Sequence, residues 1–203
     1  TLAHTEAIVE RFEEALDQLN QALRSDSSPV FSAARARILY FKGDYRDAFE
    51  EYEGVLKGNV DFIPALLGGG LSALMNDDLR AARRNYQLAE NILPGPAPVV
   101  WALQGHLFGK EGDTQGALEM LERLDYAQQQ PGVYIPPEYM AMVHLGLGDL
   151  DQALTFLEQA FENGSNSMTI LALDPLMAPL RNHPRYLALL ERINNRGQRR
   201  GNG

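Results

Sequence analysis

Gly112-Asp113-Thr114-Gln115-Gly116-Ala117 is a phrase that this 203-residue chain repeats. Variants of it stand at Gly148-Asp149-Leu150-Asp151-Gln152-Ala153 and at Gly43-Asp44-Tyr45-Arg46-Asp47-Ala48. Looser copies are Asp77-Asp78-Leu79-Arg80-Ala81-Ala82 and Arg11-Phe12-Glu13-Glu14-Ala15. The closing alanines, Ala15, Ala48, Ala82, Ala117 and Ala153, lie 33, 34, 35 and 36 residues apart. Self-similarity at a period near 34 marks a helical solenoid, whose units bury their apolar faces only against their neighbours.

The chemistry of the phrase gives each unit its shape. Gly43, Gly112 and Gly148 suit the left-handed turn that ends a first helix. The aspartate after each is placed to cap a second helix through a side-chain oxygen. The alanine is small because two helices cross there at close range. Four residues on stands a large apolar knob (Leu19, Tyr52, Tyr86, Leu121, Leu157), and three further on Ala22, Val55, Ala89, Leu124 and Ala160 complete one helical face. The pattern predicts helices over 5–24, 30–42, 45–57, 62–75, 79–92, 97–110, 114–126, 136–147 and 150–163. The first copy lacks the turn glycine, so 5–24 is expected to be half a repeat.

The period breaks after Asn163-Gly164, which reads as a helix stop. Asp174-Pro175 and His183-Pro184 look like caps with proline in the first turn, so two short helices are expected near 175–181 and 184–194. Leu187, Leu190 and Ile193 give the last an apolar face, as a cap over the final repeat needs. The expected layout is a single solenoid domain over 1–195, with repeats at 5–24 (partial), 29–62, 63–97, 98–131 and 134–167, a cap at 174–194 and a disordered tail at 196–203. The stretch from Gln128 to Val133 is a longer connection, which widens the last interval; a linker between two domains is the alternative reading of it.

Composition narrows the function classes. A net charge of -9 disfavours nucleic-acid binding by this segment, because phosphate contacts need a clustered basic surface. The only basic cluster is Arg196, Arg199 and Arg200, in the tail. There are no cysteines, which excludes disulfides, thiolate metal sites and a cysteine nucleophile. No apolar run approaches the ~20 residues of a membrane span. The chain begins with Thr1, so a preceding segment, including an effector domain, is an open expectation.

The repeat resembles the tetratricopeptide repeat. The fourth unit matches best, with Trp101, Gly105, Phe108, Gly112, Ala117, Leu121 and Leu124 at the family's spacing. The third has Leu66, Gly70, Ala73, Ala82, Tyr86, Ala89 and the closing Pro94. The second departs from the pattern at Ser32 and Arg35, where large apolar residues are usual. The resemblance covers about residues 5–165 and implies an all-α, right-handed superhelix of antiparallel helix pairs with a helical cap. The closing part is narrower. Pro137-Glu138-Tyr139-Met140-Ala141, Leu173-Asp174-Pro175-Leu176 and His183-Pro184-Arg185-Tyr186 resemble the last repeat and cap of bacterial signalling proteins, in which such repeats follow a winged-helix, cyclase or kinase domain.

The family's geometry implies that the first helix of each pair lines a concave groove. Its inward positions would be Ala33, Arg37, Tyr40 and Phe41; Leu67, Leu71, Leu74 and Met75; Ala102, His106, Gly109 and Lys110; and Glu138, Met142, Leu145 and Gly146, extended by Ile8 and His4. Such a lining is apolar with a few cations, which suits an extended or helical peptide. The expected anchors are Tyr40, Phe41, Leu67, Leu71, Leu74, Met75 and Met142, with Arg37, His106 and Lys110 supplying polar selectivity. The carboxylate clamp of some members needs Lys and Asn where this chain has Ala33, Leu67, Leu71 and Ala102.

Other constellations read as structure. The histidines, His4, His106, His144 and His183, lack metal-motif spacing. Gly68-Gly69-Gly70 lacks the Lys-Ser/Thr of a phosphate loop and instead demands a close approach by a helix or a ligand backbone. Glu13-Glu14, Glu50-Glu51-Glu53 and Asp77-Asp78 read as solvated faces. No enzymatic constellation and no cofactor motif emerges. The expectation is therefore a non-enzymatic, protein-binding scaffold or sensor segment of a bacterial signalling protein, cytoplasmic, with a homodimer contact open at its N-terminal face. The alternative is a free-standing adaptor that assembles envelope or secretion machinery, in the periplasm.

Overall fold

The computed structural model describes residues 2–171 and 173–201, with side chains over 11–168, 170–171 and 173–196. Among the described residues every regular element is helical: α1 (Leu2–Ser25), α2 (Pro29–Lys42), α3 (Tyr45–Gly58), α4 (Ile63–Met75), α5 (Leu79–Ile92), α6 (Pro98–Lys110), α7 (Thr114–Gln128), α8 (Pro137–Leu147), α9 (Leu150–Glu162) and α10 (Pro184–Gly201), with 3-10 helices at Asn166–Thr169 and Pro175–Leu180. The chain forms two compact units, Thr1–Pro94 and Gly95–Gly203.

The repeated phrase does at each turn what its residues dictate. Gly43 (φ 96°) and Gly148 (φ 76°) take the left-handed conformation that closes α2 and α8. The third turn has no glycine, and Asp77 takes that conformation instead, at φ 58°. Asp113 caps α7 by accepting from Gly116 N at 2.9 Å, and Asp149 caps α9 by accepting from Gln152 N at 3.2 Å. Asp78 does the same for α5, accepting from Ala81 N at 3.0 Å. Asp44 is the correction: it makes no side-chain cap, because its carboxylate is drawn 3.4 Å to Lys42, and only its carbonyl starts α3.

In the first unit each helix packs on the next, from α1 to α5, and the first helices α2 and α4 also touch. Ala48 and Ala82 are fully buried where helices cross, with Tyr52 and Tyr86 buried as knobs beside them. Ala15 is only half-buried, in keeping with a partial first repeat. The demand made by Gly68-Gly69-Gly70 is met here. A Cβ on Gly68 would overlap the Tyr52 ring, one on Gly70 would overlap the Tyr86 ring, and one on Gly69 would sit 2.9 Å from Asn85 Nδ2. The three glycines make room for Tyr52, Asn85 and Tyr86.

In the second unit α6 packs on α7 and α8, and α8 on α9. Its core gathers Ala102, Ala117, Leu124, Ile135, Met140 and Val143. α6 and α8 meet backbone to backbone: a Cβ on Gly109 would overlap the Gly146 carbonyl carbon, and one on Gly146 would overlap the His106 carbonyl. Beyond α9 the chain folds back, with Pro175–Leu180 against α8 and α10 against α9. Tyr186 is buried and donates its hydroxyl to Leu171 O at 3.0 Å. α10 runs on to Gly201, past the end expected near residue 194. Arg192 pairs with Glu162, and Arg196 lies 3.7 Å over the Phe161 ring while donating to Phe161 O at 2.6 Å. These contacts carry the helix past Ile193. The side chains of Arg199 and Arg200 lie outside the described residues.

Candidate functional site

The residues expected to line a groove divide between the two units, and each unit treats its share differently. In the first unit Arg37 is exposed on α2, and its guanidinium sits 5.5 Å from the Phe41 ring one turn on. Phe41, Leu67, Leu71 and Met75 are half-buried. Tyr40 and Leu74 are different, at 5% and 2% exposure. Tyr40 meets the rings of Phe41 and Tyr45 at 5.4 and 5.9 Å. Both side chains are spent on the protein's own packing, so they support the surface from behind. Ile8 and His4 fall outside the described side chains.

In the second unit Ala102, His106, Leu145 and Gly146 are buried among the corresponding positions. His106 is 5% exposed and its Nδ1 lies 2.8 Å from Met142 O. A carbonyl only accepts, so Nδ1 carries the proton and donates it across from α6 to α8. Burial is the main cause that lowers the His106 pKa to about 4, with Lys110 adding to the effect and the bond to Met142 opposing it. This histidine is a neutral helix staple and not a selective donor for a ligand. Leu145 and Gly146 are buried, Met142 is half-buried and Lys110 is exposed.

Glu138, at the first turn of α8, is occupied by the chain itself. Its Oε1 accepts from Ser165 Oγ at 2.6 Å and from Ser167 Oγ at 2.8 Å. The sequence reading missed this clasp. Its one available signal was the pair of serines just after the helix stop at Gly164.

His144 and His183 are held within the chain's own packing. His144 stacks on Phe156 at 5.5 Å, and burial lowers its pKa against the pull of Asp149, 3.6 Å away. His183 accepts from Arg185 N at 3.3 Å at the start of α10. Among the described residues no group of three or more histidines and carboxylates is placed to hold a metal, and no helix is long and apolar enough to cross a membrane.

An open cleft lies elsewhere in the first unit. It measures about 740 Å³ and is lined by residues of α1, α2 and α3. Arg35 stands in it, donating to Asn20 Oδ1 at 2.9 Å and to Glu51 Oε2 at 2.6 Å. Ser32 and Arg35, the two departures from the repeat pattern, both line it. Polar and small side chains stand where bulky apolar ones would fill the space.

No family model and no curated protein matches the chain. Among solved structures it is similar to a tetratricopeptide repeat protein from Parabacteroides merdae, with a TM-score of 0.51 and 14% identity over 94% of this chain and 78% of that one. At that identity the likeness speaks for the fold alone. The fold is all-α and of the tetratricopeptide-repeat kind.

Proposed function

We propose that the chain is a protein-interaction module that takes an amphipathic peptide or partner helix on the α2–α4 face of its first unit. One observation carries the reading. The positions that the resemblance assigns to a groove keep accessible surface on α2 and α4, at Arg37, Phe41, Leu67, Leu71 and Met75. Of their counterparts on α6 and α8, Ala102, His106, Leu145 and Gly146 are buried and Glu138 is held by the chain's own serines, which leaves Met142 and Lys110 as the side chains with free accessible surface. Half-buried leucine and methionine side chains offer adaptable apolar contact. Arg37 adds a charge-assisted donor for an acidic residue flanking the apolar stripe of the partner.

The wider role we infer is that of a sensor or scaffold segment in a bacterial signalling protein. It rests on the resemblance of residues 137–186 to the closing repeat and cap of such proteins. The N-terminal sequence of the native protein tests this part.

The binding reading is tested by selecting a random peptide library on the protein and measuring the recovered peptides against Arg37→Glu/Leu71→Glu. Both side chains retain accessible surface, so the thermal midpoint of the variant is expected to stay near that of the wild type. Peptides with an apolar helical stripe and a flanking acid should lose most of their affinity for it. Selected peptides that bind this variant as well as the wild type would remove the α2–α4 face from consideration.

A further inference from the structure

We infer that the cleft between α1 and α3 is a second docking surface, for a basic segment of a partner protein whose arginine or lysine side chains lie across α2. It is separate from the α2–α4 face. At ~100° per residue, Ser32, Arg35 and Leu39 share one side of α2, while Arg37 and Phe41 lie roughly 200–240° round from Arg35. The two surfaces use opposite sides of one helix.

Three features of the cleft fit such an occupant. The first is shape. About 740 Å³ lies open in a single unit, within the roughly 300–1,000 Å³ range of ligand sites. The second is the arrangement of its lining. Leu16 and Val55, both nearly buried, and the half-buried Leu39 line it beside Ser32 and Arg35, and Glu13, Asp17, Asp47, Glu50 and Glu51 line it as carboxylates. Apolar side chains interspersed with carboxylates match a guest side chain with a long aliphatic stem and a cationic head.

Three of the five carboxylates are matched from within: Glu13 by Lys42 at 2.8 Å, Glu50 by Arg46 at 3.0 Å and Glu51 by Arg35 at 2.6 Å. Among the described residues, Asp17 on α1 and Asp47 on α3 are the exposed carboxylates of the lining left for a guest.

The third feature is the glycine pair on α3. Gly54 and Gly58 both line the cleft, and a Cβ on either would meet nothing within 4 Å. A mid-helix glycine such as Gly54 costs up to ~1 kcal/mol relative to alanine, and nothing inside the chain requires it. It leaves that stretch of α3 bare for the close approach of another backbone. The chain's own basic helix is a poorer occupant, because Arg192 and Arg196 are engaged on Glu162 and Phe161.

The test uses a labelled alanine-based peptide with arginine at every fourth position, followed by fluorescence anisotropy on the full chain, with the glutamate version as control. The arginine peptide is expected to bind, more weakly as salt rises because exposed charges are screened. Asp17→Asn/Asp47→Asn should weaken it roughly five- to tenfold. Gly54→Leu, at a position where an added Cβ meets open space, should weaken it while leaving the thermal midpoint unchanged or higher. Glu119→Gln/Glu122→Gln removes the same charge from α7 and should leave binding intact.

Absence of binding at low salt would overturn the proposal. So would equal weakening by the α7 pair, which would reduce the effect to general acidity. Self-association that Arg199→Ala/Arg200→Ala abolishes would make a second copy the occupant and overturn it as well. None of these outcomes touches the α2–α4 reading, whose variant carries different residues.

Discussion

A glycine inside a helix gives up about 1 kcal/mol relative to alanine, so its environment decides whether replacing it helps or harms. Gly70 and Gly54 make a matched pair. At Gly70 the added methyl would overlap the ring of Tyr86, which is fully buried and has nowhere to move. Overpacking of that kind costs ~1–3 kcal/mol and outweighs the gain in helix propensity. Gly70→Ala should therefore lower stability by about 1–2 kcal/mol. At Gly54 the methyl meets open space, and the propensity gain of ~0.5–1 kcal/mol should appear undiminished. Urea titrations of the two variants check this, and shifts of the same sign would sink the packing account. The sequence announces that Gly68-Gly69-Gly70 needs a close neighbour, because three glycines in a helical pattern are otherwise too costly. It does not announce that Gly54 lacks one. What a glycine faces depends on a helix many residues away, and no local spacing encodes it.

The bounds of α2 to α9 were legible to within two residues, because their signals are local, while α1 and α10 run past their expected bounds. Prolines open α2, α4, α6, α8 and α10 within the first turn, and glycines in the left-handed conformation close α2 and α8. What each helix does with its polar residues was not legible. Glu138 sits at an expected groove position, but it is clasped by Ser165 and Ser167, which follow no periodic rule. His106 was expected to face a ligand. The backbone contact of Gly109 with Gly146 instead draws α6 and α8 so close that its ring is buried and turned onto Met142 O. That contact has a pH signature. Burial lowers the folded-state pKa to about 4, against ~6.5 in an unfolded chain. The folded form thus binds the proton less readily. The stability is complete above pH ~6.5 and is lost as pH falls toward ~4, by an amount on the order of 2–3 kcal/mol. His106→Gln keeps a donor for Met142 and removes the titration. Its urea midpoint should fall less than that of the wild type between pH 7 and pH 5. Identical pH profiles would mean that the imidazole is not buried in solution.

A solenoid is stable only as far as its neighbouring helices cover one another, and here the cover is gathered into two units, Thr1–Pro94 and Gly95–Gly203. Each unit has a core of its own. Ala33, Ala36, Tyr52, Val55 and Ala65 cluster in the first, and Ala102, Ala117, Leu124, Ile135, Met140 and Val143 in the second. Both ranges exceed the ~60 residues at which small domains begin to fold alone. The first begins on a weaker footing, because Ala15 and Leu19 on α1 are only half-buried, whereas Ala153 and Leu157 on α9 are fully covered. The second unit adds the serine clasp on Glu138, the Tyr186 bond to Leu171 and the bidentate reach of Arg185 to Glu158, at 3.2 and 2.9 Å. Expressed separately, 1–94 and 95–203 should each give a helical circular-dichroism spectrum and a cooperative melt, with 95–203 melting higher. A coil spectrum from 95–203 would mean that its core needs the first unit to form. A higher midpoint for 1–94 would mean that the polar contacts around α10 add less than the uncovered face of α1 takes away.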